Sequence, residues 1–132
     1  MSAKVGLQKW HEVMEGGSSP DGLAAIIRED AVFHSPVVHT PQVGRPIVVA
    51  YLSAAGKTLG NESFEYVREL VDGDNAMLEF TTEMDGVHVN GIDLIRFDED
   101  GMIADFKVMV RPLKAVNKVW EQMAAMLERQ KG

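Results

Sequence analysis

In the stretch VNGIDLIRFDEDGMI, residues 89–103, a carboxylate at Asp93 interrupts a run of Ile, Leu, Ile and Phe. Moving an ionised carboxyl into apolar surroundings is costly, so such a group is paired, hydrogen-bonded or held neutral. Held neutral, it donates a hydrogen bond and can polarise a carbonyl or stabilise a developing oxyanion. A second reading stays open, in which the carboxyl is bonded to Trp10 or Tyr51 and only fixes the core. His39 is the candidate base, because a neutral imidazole takes up protons near neutral pH. Ser35 has no nucleophile elbow around it and reads as a small polar residue facing a cavity. His34 alternates to the side opposite Ser35, and His88 sits beside a hairpin turn. No metal is expected: His34 and His39 offer no helix-face pair, and Asp98, Asp100 and Gly101 give only a fragment of a calcium loop.

The elements that must position these residues follow from periodicity. Leu7, Trp10, Val13 and Met14 recur at helical spacing until Gly16 and Gly17, which predicts a first helix over about 5–14. Ser19 and Pro20 start a second, expected to end near Asp30. AVFHSP reads as a short strand closed by Pro36, VVHTPQVG as a loop, and Pro46 as the start of a third helix ending at Gly60. Period-two segments near 63–71, 76–84, 87–97 and 102–111 are divided by DGDN, DG and DEDG turns, which makes antiparallel hairpins. After Pro112 the residues Leu113, Val116, Trp120, Met123 and Leu127 form one stripe of a C-terminal helix. This is an α+β fold: a cone-shaped, curved antiparallel sheet wrapped around N-terminal helices, with an apolar cavity between sheet and helices and an added C-terminal helix.

The 132 residues make one expected domain spanning 1–132. No apolar run approaches the roughly 20 residues of a membrane span, so no membrane partner is expected. The start lacks the order of a signal peptide and cysteine is absent, so a cytoplasmic location is expected. A net charge of −7 without a basic stretch argues against nucleic acid.

The element order, with Ile92, Asp93, Arg96 and Phe97 followed by an acidic turn at Gly101, resembles the nuclear transport factor 2-like superfamily. Its ketosteroid isomerase and SnoaL-like polyketide cyclase branches are the most similar. The resemblance covers nearly the whole chain except the C-terminal helix, which ketosteroid isomerases lack. It implies that Asp93 stands for the isomerase's buried, protonated aspartic acid and Trp10 for its second donor, a tyrosine. Tyr51 stands for the tyrosine that buttresses that site. Ser35, before Pro36, stands where the isomerase has its general base, so the isomerase mechanism cannot run unchanged. Cyclases and epoxide hydrolases of the superfamily carry a carboxylate where this chain has Val108.

By alternation Asp93 and Ile95 share a face with Phe97, and the resemblance turns that face into the cavity. Phe106, Val108 and Val110, Leu78 and Phe80, and Phe33 and Ser35 then line it too. The expected ligand is a hydrophobic small molecule, steroid-, polyketide- or terpenoid-like, bound without a cofactor. Isomerase, cyclase or dehydratase chemistry would use Asp93 to polarise an oxygen, with His39 or a water as base. Met123 and Met126 could adapt to ligands of varied shape. The opposite sheet face, with Met77, Glu79, Leu94, Arg96, Lys107 and Met109, suits an isologous homodimer. The competing expectation is a non-enzymatic binding or protein-interaction module, favoured if Trp10 and Phe106 pack together and fill the cavity.

Overall fold

The computed structural model describes residues 2–131. Its elements are α1 (Ser2–Glu15), α2 (Pro20–Ala24), β1 (Ile27–His34), β2 (Gln42–Val43), α3 (Arg45–Leu59), β3 (Glu65–Asp72), β4 (Asn75–Met84), β5 (Val87–Phe97), β6 (Ile103–Arg111) and α4 (Leu113–Lys131). The strands form one sheet in the order β2-β1-β6-β5-β4-β3. The four-strand meander is antiparallel, as expected, whereas β1 joins β6 in parallel. Register shifts within β1, in β3 beside Tyr66 and where β5 meets β6 bend the strands. Extra residues of this kind raise local twist and let an open sheet curve around helices.

The start of β1 differs from the sequence expectation. Ser19 caps α2 by accepting from the Gly22 N–H at 3.1 Å, but the helix stops at Ala24. Ile27 instead pairs with Ile103, and the Ile103 N–H donates to the Ile26 carbonyl at 2.8 Å. Two adjacent β-branched residues gain a sheet partner and full burial there, which outweighs a weak helical preference. The expected loop after Pro36 likewise includes β2, whose two residues pair with Val32 and Phe33.

Alternation governs the inner face. Val89, Gly91, Asp93, Ile95 and Phe97 of β5 are buried, as are Ala76, Leu78, Phe80, Thr82 and Met84 of β4. Gly91 is required there by close approach: a Cβ would lie 2.5 Å from the Phe80 ring and 2.8 Å from the Met109 carbonyl oxygen. The turn between β4 and β5 uses Asp85 and Gly86 at φ 51° and 81°, the left-handed pair that a two-residue hairpin demands.

The buried stripe of α4 is Ala115, Val119 and Met123, which shares Met123 with the expected one. Leu113 is 74% exposed and Trp120 52%. The small Ala115, fully buried, lets α4 lie close against its neighbours α3, β5 and β6, and rotates the bulky residues outward. The side chains of Met126 and Leu127 lie outside the described residues. Among the described residues no helix is long and apolar enough to cross a membrane.

Candidate functional site

Asp93 sits mid-strand in β5, paired with Leu78 of β4 on one side and Val108 of β6 on the other. It points inward and is 7% exposed. The Tyr66 hydroxyl donates to its Oδ2 at 3.4 Å, and the Trp10 indole Nε1–H donates to the Tyr66 oxygen at 3.0 Å. The other carboxyl oxygen has no hydrogen-bond partner among the described residues. Burial pushes the Asp93 carboxyl up to about 7, and the Tyr66 hydrogen bond offsets part of that rise. Burial raises the Tyr66 phenol as well, helped by the neighbouring Asp93 charge, so Tyr66 stays a neutral donor.

A cavity of about 280 Å³ opens beside this chain of donors. Its sheet wall is Phe33, Phe80, Phe106, Val108 and Val110, with Ser35 and Asp93 as polar points. Helix α1 contributes Trp10 and Met14, α3 contributes Leu52, Ala55 and Leu59, and α4 contributes Val119 and Met123. Gly17, Gly60 and Asn61, all exposed, mark its mouth. Trp10 and Phe106 do pack together, ring centroids 5.0 Å apart, yet the cavity persists next to them.

Three expectations about the site are corrected. Tyr51 packs its ring against Phe33 at 5.1 Å and is not among the lining residues; Tyr66 takes the place beside Asp93. Leu78 and Ile95 face inward but are fully buried in the core rather than at the cavity wall. His39 is exposed in the loop after Pro36 and does not line the cavity. Tyr66 could have been found: alternation in FEYVREL places Phe64 and Tyr66 on one face, and Tyr66 pairs in register with the inward Phe80.

Other candidates from the sequence have structural partners. His34 Nε2 lies 2.9 Å from Asp105 Oδ1 on the sheet's outer side. The Asp98 carboxylate accepts from the backbone N–H groups of Asp100 and Met102, each at 2.9 Å, and from Arg28 at 3.1 Å. That is how an acidic turn satisfies its own backbone. Ser35 Oγ accepts from the Val37 N–H at 3.1 Å, which leaves its hydroxyl proton free to point elsewhere.

Comparisons with known proteins agree with this architecture. A family model described as a SnoaL-like domain matches residues 7–106. A steroid delta-isomerase from Pseudomonas aeruginosa superposes with a TM-score of 0.90 at 37% identity, covering 98% of this chain and 93% of that one. Since α4 has 19 residues, that coverage takes in most of the C-terminal helix, beyond the extent the sequence resemblance implied. A conserved bacterial protein with a cystatin-like fold from Silicibacter pomeroyi gives 0.83 at 31% identity, covering 91% and 83%. An NTF2-like protein from Mesorhizobium loti gives 0.70 at 23%, covering 84% and 92%, which speaks to the fold alone. No curated protein sequence matches the chain. With the family model spanning most of its length and the sheet curved around the helices, the chain belongs to the SnoaL-like family and has the nuclear transport factor 2-like fold.

Proposed function

We propose that this protein binds a flat, apolar small molecule carrying a carbonyl or similar oxygen, and that neutral Asp93 donates a hydrogen bond to that oxygen. One observation carries the reading: a buried carboxyl, one of whose oxygens has no partner among the described residues, at the wall of a largely apolar cavity. Aromatic rings from Trp10, Phe33, Phe64, Phe80 and Phe106 surround the space and suit a planar ligand. The volume is near the low end of small-molecule pockets, roughly 300–1,000 Å³, and favours compact members of the steroid-, polyketide- and terpenoid-like range. The similarity to a steroid delta-isomerase from Pseudomonas aeruginosa supports a steroid-like ring system as the model ligand.

Among the described lining residues only Asp93 and Tyr66 are titratable. The chemistry assigned here is therefore polarisation of a bound oxygen, with any proton abstraction left to water or to the ligand itself. Asp93→Leu tests it: calorimetric titration with bicyclic aryl ketones should show affinity weakened roughly tenfold, the value of one buried donor at about 1.4 kcal/mol. Equal affinity in both proteins would overturn the assignment.

We also propose that a second copy covers the outer sheet face. Leu70, Leu94 and Met109 are exposed there, next to Met77 and Ile92. Arg68 and Glu79, and Arg96 and Asp105, place opposite charges around that apolar centre. Such a face is self-complementary about a two-fold axis.

A further inference from the structure

The direction of one hydrogen bond in the chain leading to Asp93 is fixed by chemistry. An indole Nε1–H can only donate, so the Tyr66 oxygen accepts from Trp10. The Tyr66 hydroxyl donates its single proton to Asp93 Oδ2 at 3.4 Å; the reverse arrangement, in which a neutral carboxyl donates to the second lone pair of Tyr66, is distinguished from it by titration of the carboxyl. When Asp93 is neutral, its proton is left for Oδ1, the oxygen without a partner among the described residues.

We propose that Trp10 and Tyr66 form a one-way donor chain that places the acid proton of Asp93 on the oxygen facing the cavity. Tyr66 is the positioning residue of this chain, and Trp10 sets its direction. The consequence deepens the functional reading and rests on it: the site selects ligands whose oxygen accepts a hydrogen bond, a ketone ahead of a ligand that can only donate. A residue outside the expected site thus decides which face of the carboxyl is acidic.

The groups around this chain are few. From α1, His11 packs its ring edge-on to Tyr66 at 5.6 Å and lies 3.2 Å from Glu69 of β3. The Glu69 charge adds to the elevation of Tyr66. Among the described residues, β1, β4, β6, α3 and α4 bring no titratable side chain to the cavity wall, and β5 brings Asp93 alone.

The sign of one shift distinguishes this chain from its reverse. If Tyr66 donates to Asp93, the bond favours the carboxylate, and removing it raises the carboxyl midpoint. If Asp93 donates to Tyr66, removal lowers it. Carbon-13 NMR titration of the Asp93 carboxyl in the ligand-free protein reads this directly. We expect Tyr66→Phe to move the midpoint upward by about half a unit or more, with Trp10→Phe moving it the same way by weakening the Tyr66 donor. A downward or absent shift in Tyr66→Phe overturns the proposal.

Binding of 1-tetralone, which only accepts, gives the second arm. Wild-type affinity should fall up to tenfold per pH unit above the midpoint, because the donor is lost. Asp93→Asn should bind with a flat pH profile, its carbonyl oxygen toward Tyr66 and its amide N–H toward the cavity. A pH-dependent Asp93→Asn profile counts against the chain. If no 1-tetralone binds while the carboxyl shifts as stated, the chain stands and the ligand reading fails.

Discussion

At the scale of the residue, Asp93 couples proton binding to folding. Its carboxyl lies near 7 in the folded protein against the ordinary value of 3.8, so the folded state holds a proton that the unfolded chain releases. Stability therefore falls as pH rises from about 4 to 7 and the contribution is fully lost above 7. The full span corresponds to an order of 4 kcal/mol at about 1.36 kcal/mol per unit. Asp93→Asn removes this dependence. Denaturant melts at pH 4.5 and pH 8 should show the wild type losing stability relative to the variant at the higher pH; parallel behaviour of the two would mean the carboxyl ionises normally. The chemistry of Asp93 was legible in the sequence because a lone acid in an apolar alternating strand has few explanations. Its partner was harder to read: Tyr51 and Tyr66 are alike in type, and the alternation of FEYVREL turns Tyr66 toward Asp93 only once β3 is paired with β4.

At the scale of the element, the meander and α3 could be read from alternation, turn residues and Pro46, since local chemistry fixes them. The boundary between α2 and β1 could not, because Ile27 chooses its state through Ile103, 76 positions later. The orientation of α4 was misread for a related reason. Its sequence offers two apolar stripes that meet at Met123, and the larger side chains suggested the one through Leu113 and Trp120, while close packing favours the one built on Ala115 and Val119. Met123 is 6% exposed and touches Thr58 Oγ1 through its sulfur at 3.6 Å, whereas Trp120 is 52% exposed. Met123→Ala should cost about 2 kcal/mol, the low end for a buried methionine because the cavity already adjoins it. Trp120→Ala should change stability by under about 0.5 kcal/mol. Thermal melts in which Trp120→Ala costs as much as Met123→Ala would return α4 to the orientation expected from sequence.

At the scale of the whole molecule, the sheet has two working faces. The concave face and three helices enclose the cavity, and the convex face exposes Leu70, Leu94 and Met109, where the proposed second copy would sit. Leu94→Glu places like charges at the centre of a two-fold contact. Sedimentation should show a dimer for the wild type and a monomer for the variant, with ligand affinity unchanged; a monomeric wild type would remove the dimer from the account.

The claim on which the rest depends is that the cavity admits a ligand. Val108 borders it beside Asp93, so Val108→Trp should plug it with little disturbance outside. The deciding measurement is the thermal shift of both proteins with cyclic ketones, phenols, steroids and terpenoids. At a hundredfold excess over its dissociation constant, a ligand stabilises by about 2.7 kcal/mol, or roughly 8 °C for a chain of this size. Such a shift is expected in the wild type with at least one oxygen-bearing class, together with its loss in Val108→Trp. No shift with any class, or an equal shift in the plugged variant, would contradict the claim.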